Sequence, residues 1–281
     1  MPPLTYKDIN MAISTPIVNA RQYYINGLNL AYATTTTMTV SAGRCGNSSN
    51  VNDISVGLPL NVAATQTGVL PVDAGSGAVT ISIAANGAGG LDTGAIAAST
   101  FYAVYAIGDS YGNNPGSALI SANLSSPLMP AGYDMYFRIG YIKTSAGSVI
   151  LAFRQDGCGL DRWMWYDAAI ATDITAGASA TYAPVDASAG LPSSTPTMVN
   201  WLCVFTPTAA ADKLVLVPGT STATAGYASA SGAVAAVANT VNLICPTDSP
   251  NTDAIDYKVT GSAVAISVAA YLDQLAVSIS G

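Results

Sequence analysis

Short apolar runs bounded by Gly, Pro, Asn and Ser recur along the whole chain, a pattern that predicts strands rather than helices. The densest stretch is residues 91–144, LDTGAIAASTFYAVYAIGDSYGNNPGSALISANLSSPLMPAGYDMYFRIGYIKT. It holds apolar runs at 101–107, 118–124 and 135–142, separated by turn-rich text at 108–110, 112–116 and 127–132. Gly or Pro interrupts each run before a helical period can settle, so three successive antiparallel strands are expected. Their tyrosines and Phe101 supply much of the apolar area in a chain otherwise built from Ala, Val and Ile.

The same reading extends to either side. Residues 1–24 carry Pro2, Pro3 and Pro16 and read as an extended arm of the kind ordered against a neighbour. Asn26-Gly27, between QYYI at 22–25 and LNL at 28–30, predicts a two-residue hairpin turn. Strands are expected at 34–42, 54–60, 77–84 and 149–154, with a long polar loop at 43–50. Val79, Ile81 and Ile83 alternate with Thr80, Ser82 and Ala84, the period of a half-buried strand. The glycine-rich run 155–160 (QDGCGL) is the candidate domain boundary. Beyond it, strands are expected at 198–205, 213–217, 241–245, 254–259 and 264–271, with Val264, Ile266 and Val268 on one face and Ala265 and Ser267 on the other. Residues 239–250 read equally well as irregular. The predicted architecture is all-β: an extended N-terminal arm (1–26), then two antiparallel β-sandwich or jelly-roll-like domains at 27–160 and 161–281.

Composition supports the fold class and narrows the function. Hydrophobic residues make up 50% of the chain, but charged residues only 9%, against roughly 25% in ordinary soluble domains. All 16 acidic residues are aspartates, and histidine is absent. Surface helix formers are therefore scarce, while Thr, Ser, Val, Gly and Asn abound. A chain so poor in charge stays soluble through a hydroxyl- and amide-rich surface, or by covering surface with partner chains. The net charge is −7 with no basic cluster, which argues against nucleic acid and against an anionic membrane. No basic region followed by an apolar core opens the chain, so no secretory signal is read, and no uninterrupted apolar stretch predicts a membrane span. The widely spaced Cys45, Cys158, Cys203 and Cys245 lack metal-site spacing; buried thiols are the preferred reading, with disulfides left open.

Several motifs invite chemistry, and each has a plainer reading that is preferred. LDTGA at 91–95 matches the core of an aspartic-protease signature, but that chemistry needs two aspartates sharing a proton, so Asp92 would have to face its copy across a dimer. The preferred reading is an Asp-Gly turn. Asp248, Asn251, Asp253 and Asp256 form an oxygen-rich run open to calcium, but Val259 stands where the closing acid belongs, so a solvated turn is preferred. The glycine runs at 75–77 and 86–90 lack the lysine and helix start of a phosphate loop and read as turns. Without histidine no Ser-His-Asp triad is available. Asp156, Asp161 and Asp167 could serve glycoside hydrolysis, yet nothing pairs two of them. Trp163, Trp165 and Tyr166, with the tyrosines of 91–144, could stack on sugar rings; core packing is the preferred reading. No catalytic, cofactor-binding or metal-binding residue is assigned.

The run from Leu91 (LDTGAIAASTFYAVYAIGD), then SALIS and SSPLMPAGYDMYFRIGYIKT, with GLNLAYATTTTMTVSAGRCGNSSNVNDISV upstream, resembles a module of virion structural proteins of tailed bacteriophages. The resemblance covers roughly residues 27–155 and weakens in the last third. It implies a β-rich, commonly trimeric protein of the capsid-decoration, head-fibre or tail-fibre type, and it brings no catalytic residue. The resulting expectation is a non-enzymatic protein made in the host cytoplasm and carried on the particle surface. It would decorate or cement the capsid by burial between subunits, with residues 1–24 as anchor and with its own copies (a homotrimer), the major capsid protein or other virion proteins as partners. The alternative is a tail-fibre or tail-spike component that binds host glycans.

Overall fold

The computed structural model describes residues 24–57, 77–192, 198–210, 212–219, 228–232, 234–247, 254–261 and 263–275. Among these it is all-β: strands and turns, with no helix. Residues 1–23 of the arm expected at 1–26, and of the anchor expected at 1–24, lie outside the described residues, and the arm's last two residues, Ile25 and Asn26, belong to the first strand.

The first eleven strands are β1 (Ile25–Gly27), β2 (Leu30–Tyr32), β3 (Thr37–Val40), β4 (Gly43–Gly46), β5 (Asp53–Val56), β6 (Val79–Ser82), β7 (Phe101–Gly108), β8 (Ser117–Ser121), β9 (Met135–Lys143), β10 (Phe153–Cys158) and β11 (Asp161–Tyr166). The aromatic stretch forms the expected antiparallel strands, with β7 central between β8 and β9. Both faces of β7 are covered. Tyr102, Val104 and Ala106 join the main core, while Ala103, Tyr105 and Ile107 pack with Leu119 and Tyr141 beneath Leu124, Met129 and Tyr133. Two-sided burial explains why this strand reads as a continuous apolar run and not as an alternation.

Three expectations are corrected here. Asn26-Gly27 does not close a local hairpin. The positive φ values fall on Gly27 (70°) and Leu28 (56°), and they turn the chain out of the sheet β1-β4-β5 into β2 of a different sheet. The polar loop expected at 43–50 begins as a strand: β4 pairs with β1 and β5, because Gly43 and Cys45 are buried and their backbone groups need ladder partners. The strand expected at 149–154 starts later and runs through the glycine-rich segment, as β10.

That segment is a hairpin, not a gap between sheets. β10 and β11 pair along six positions, and Gly157 (φ 108°) and Gly159 (φ 64°) supply the backbone that closes the turn. A Cβ on Gly157 would lie 2.6 Å from the Asp161 carbonyl oxygen. The sheet and the hydrophobic core both continue through residue 160, where the sequence placed a boundary.

The remaining strands are β12 (Ala171–Gly177), β13 (Ala183–Asp186), β14 (Met198–Phe205), β15 (Lys213–Pro218), β16 (Ala228–Ser231), β17 (Asn239–Pro246), β18 (Ala254–Val259) and β19 (Val264–Gln274). Their antiparallel pairings nest: β12 with β19, β13 with β18, β14 with β17, β15 with β16. Cross-pairs β14–β19 and β15–β18 close two sheets, β12-β19-β14-β17 and β13-β18-β15-β16. This is a long hairpin rolled into a sandwich, the strand order of a jelly roll. Trp201, Cys203, Phe205, Ile266 and Val268 of one sheet share a core with Leu214, Leu216, Ile255 and Tyr257 of the other. The alternation of Val264, Ile266 and Val268 with Ala265 and Ser267 holds on β19, though Ser267 is also covered. At its far end β19 pairs with β11, which carries the sheet on through β10, β2, β3 and β6 to nine strands.

Candidate functional site

The aromatic trio of β11 is divided by the pleat. Arg162, Met164 and Tyr166 point into the core, at 8% exposure or less. Trp163 and Trp165 point outward and are half-buried, with ring centroids 5.7 Å apart and planes inclined by 32°. On β10, Asp156 stands opposite Trp163 and Arg154 opposite Trp165. Residues directly opposite in a ladder share a face, so these side chains flank the indoles. Arg154 and Asp156 form an exposed ion pair of 2.7 Å. On the other flank Leu272 and Ala270 of β19 give an apolar border. Asp161 begins β11 on the same outward parity and is exposed.

Of the three aspartates weighed for hydrolysis, two share this face and the third does not. Asp156 and Asp161 flank the tryptophans. Asp167 lies just past the opposite end of β11, about 20 Å from Asp161 at strand rise, beyond the roughly 5–9.5 Å that glycosidases use. Tyr166 packs between Phe153 and Tyr271, so it takes no part in an outer face.

Asp92 is a tie between loops. Its Oδ2 accepts a hydrogen bond from the Ser121 hydroxyl (2.6 Å) and another from the Leu128 amide (3.0 Å). Its own amide donates to the Ile120 carbonyl. These bonds hold the 122–134 segment over the outer face of β7, which is where Met129 and Tyr133 pack. Of the calcium candidates, Asp248, Asn251 and Asp253 lie outside the described residues, as do Gly75 and Ser76, while Asp256 sits within β18 opposite Pro184 and Val217. No cluster of metal-ligating side chains occurs among the described residues. Cys45, Cys203 and Cys245 are free and fully buried. Burial raises all three thiols, Cys203 and Cys245 to about 12.

Sequence reasoning missed two buried arginines. Arg162, 1% exposed, donates to the carbonyls of Gly27 and Leu28 (2.7 Å each) and of Gly159 (3.2 Å). It pins the β1–β2 corner to the β10–β11 hairpin, at the base of a cleft of about 370 Å3 shared with Ile25, Asn26 and Asn29. With its hydrogens aimed at main-chain oxygens, this guanidinium works as a structural bracket. Arg138, also buried, pairs with Asp273.

Comparison of the chain with family models, curated proteins and solved structures finds no match.

The other surface that stands out is one side of the jelly roll. β16 and β17 end their respective sheets and lie against each other. No charged residue occurs between Lys213 and Asp248, a signal readable in the sequence. On the outer face of β14–β17, Val204 is 37% and Ile244 47% exposed; in the turn before β17, Val234 is 57% and Val237 52% exposed. That turn is tied to the segment just after β14 by the Ala236 amide, which donates to the Pro207 carbonyl.

Proposed function

We propose that this chain is a non-enzymatic structural protein of a phage virion that decorates or cements the capsid exterior. The observation that carries the reading is the uncharged β16–β17 side. Among the described residues these two strands end their sheets, beside four exposed aliphatic side chains. Soluble monomers normally guard such edges with lysine, proline or bulges. Lysine is absent from β16 and β17, and the one proline, Pro246, stands at the end of β17. Charge depletion at the centre with aliphatic contacts is the composition of a protein–protein interface. An identical uncharged patch on a second copy meets it without like-charge repulsion, whereas most of the remaining surface shares a net charge of −7.

Two further points support the assignment to a virion. The jelly roll is an architecture of viral capsid proteins, an argument by analogy of fold. The residue 27–155 module resembles phage virion proteins in sequence. On this reading the protein works by burying apolar and backbone surface across subunit boundaries, with residues 1–24 as the anchor. The test is particle imaging with a chain lacking residues 2–20. Loss of the density from the capsid, with the β fold retained in solution, supports the reading; unchanged occupancy overturns it.

A further inference from the structure

We propose that the outer face of the β10–β11 hairpin is a binding site for neutral hexopyranose sugars. Trp163 and Trp165 project from the same side of β11, with rings 5.7 Å apart and partly open to solvent. Three polar side chains border them: Asp156 and Arg154 by direct cross-strand register, and Asp161 two positions along the strand. A pyranose has an apolar face of C–H groups and a rim of hydroxyls. The indoles supply a large, rigid surface for the first at low entropic cost. The carboxylates of Asp156 and Asp161 accept hydrogen bonds from the hydroxyls, and the Arg154 guanidinium donates to their oxygens.

Two features favour a sugar over a protein partner on this face. The Arg154–Asp156 pair is exposed, with side chains 71% and 45% accessible. A protein laid over it would desolvate both charges, at a cost seldom recovered, whereas a sugar brings hydroxyls that bond to each of them. The pair of tryptophans also sits on a rigid element, β11, held by β10 on one edge and β19 on the other. Charge narrows the class: two carboxylates against one guanidinium, on a chain of net charge −7, disfavour uronic and sialic acids.

Trp201 makes the test internally controlled. It is the third and last tryptophan of the chain, fully buried, with its indole N–H donating to the Cys245 carbonyl at 3.1 Å. The full chain, labelled with 15N, is titrated with linear oligosaccharides of glucose, of galactose and of N-acetylglucosamine, and with oligogalacturonate as the acidic control. The expected result is that a neutral series shifts two of the three indole N–H signals saturably and leaves that of Trp201 in place. Trp163→Ala and Trp165→Ala each weaken binding about tenfold or more, which is about 1.4 kcal/mol. Asp156→Ala, at an exposed position, weakens it without touching the fold. Absence of any shift at tens of millimolar sugar overturns the proposal, as does equal binding of oligogalacturonate. If the tryptophan variants leave sugar shifts unchanged but lower the sedimentation coefficient, the face is a contact between proteins and the proposal fails. If a Trp→Ala chain does not fold, Trp163→Phe and Asp156→Ala decide by the same readout.

Discussion

Arg138 on β9 and Asp273 on β19 form a buried ion pair, with Nη1 2.7 Å from one carboxylate oxygen and 2.8 Å from the other. They are 135 residues apart in sequence, and the pair joins the aromatic sheet to the last strand of the jelly roll. The guanidinium also lies 4.2 Å from the Tyr141 ring centroid. The Arg138→Ala change leaves a buried carboxylate uncompensated, and a loss of about 3–5 kcal/mol is expected. In chemical denaturation Arg138→Met with Asp273→Leu should lose much less than the sum of the two single changes; an additive result would show that the charges do not act on each other.

Asp92→Ala should destabilise the chain by about 1–3 kcal/mol, since the Ser121 hydroxyl and the Leu128 amide lose their acceptor. Asp92→Asn keeps an acceptor oxygen and should cost less. Hydrogen exchange at residues 122–134 should rise in Asp92→Ala. Protection that stays at the wild-type level would mean that the tie does not hold this segment.

The buried thiols predict an alkaline limit. Burial raises Cys203 and Cys245 from 9.0 to about 12. A raised thiol contributes stability that is complete below its unfolded value and is lost as pH climbs through the folded one. The melting temperature should therefore fall as pH moves from about 9 towards 12. At pH 8 Cys45, Cys203 and Cys245 should resist a thiol reagent until denaturant is added; prompt labelling of any of the three in the native state would contradict their burial.

Val204→Asp and Ile244→Asp place charge on the uncharged side of the jelly roll without disturbing the core, since both side chains face solvent. In sedimentation the wild-type chain should run as a self-associated species, and each variant should shift to monomer with an unchanged far-ultraviolet circular dichroism spectrum. A wild-type chain that is monomeric at every concentration would remove the β16–β17 side as a contact between copies.

How much was legible depended on how local the cause was. The ranges of β7, β9, β14, β18 and β19 were readable because each is a run of β-branched and aromatic residues ended by turn formers. The direction of Trp163 and Trp165 against Tyr166 was readable in principle, since side chains alternate with period two; grouping all three as one sugar-stacking set overlooked it. β4 was not readable, because GRCG has little strand propensity and pairs only because Gly43 and Cys45 are buried between β1 and β5.

By itself the sequence determined the all-β class, since aspartate-only acidity, scarce lysine and hydroxyl-rich spacing leave few helix formers. It also placed the aromatic centre at 91–144 and excluded histidine chemistry. Only the tertiary structure decided how the strands nest. β12 meets β19 across most of the second half of the chain, a pairing with no local signal because the reward comes from burying two sheet faces together. The same long-range closure set Arg138 against Asp273 and turned a glycine-rich run that looked like a domain boundary into a hairpin inside one sheet, because β11 found an edge of β19 to pair with.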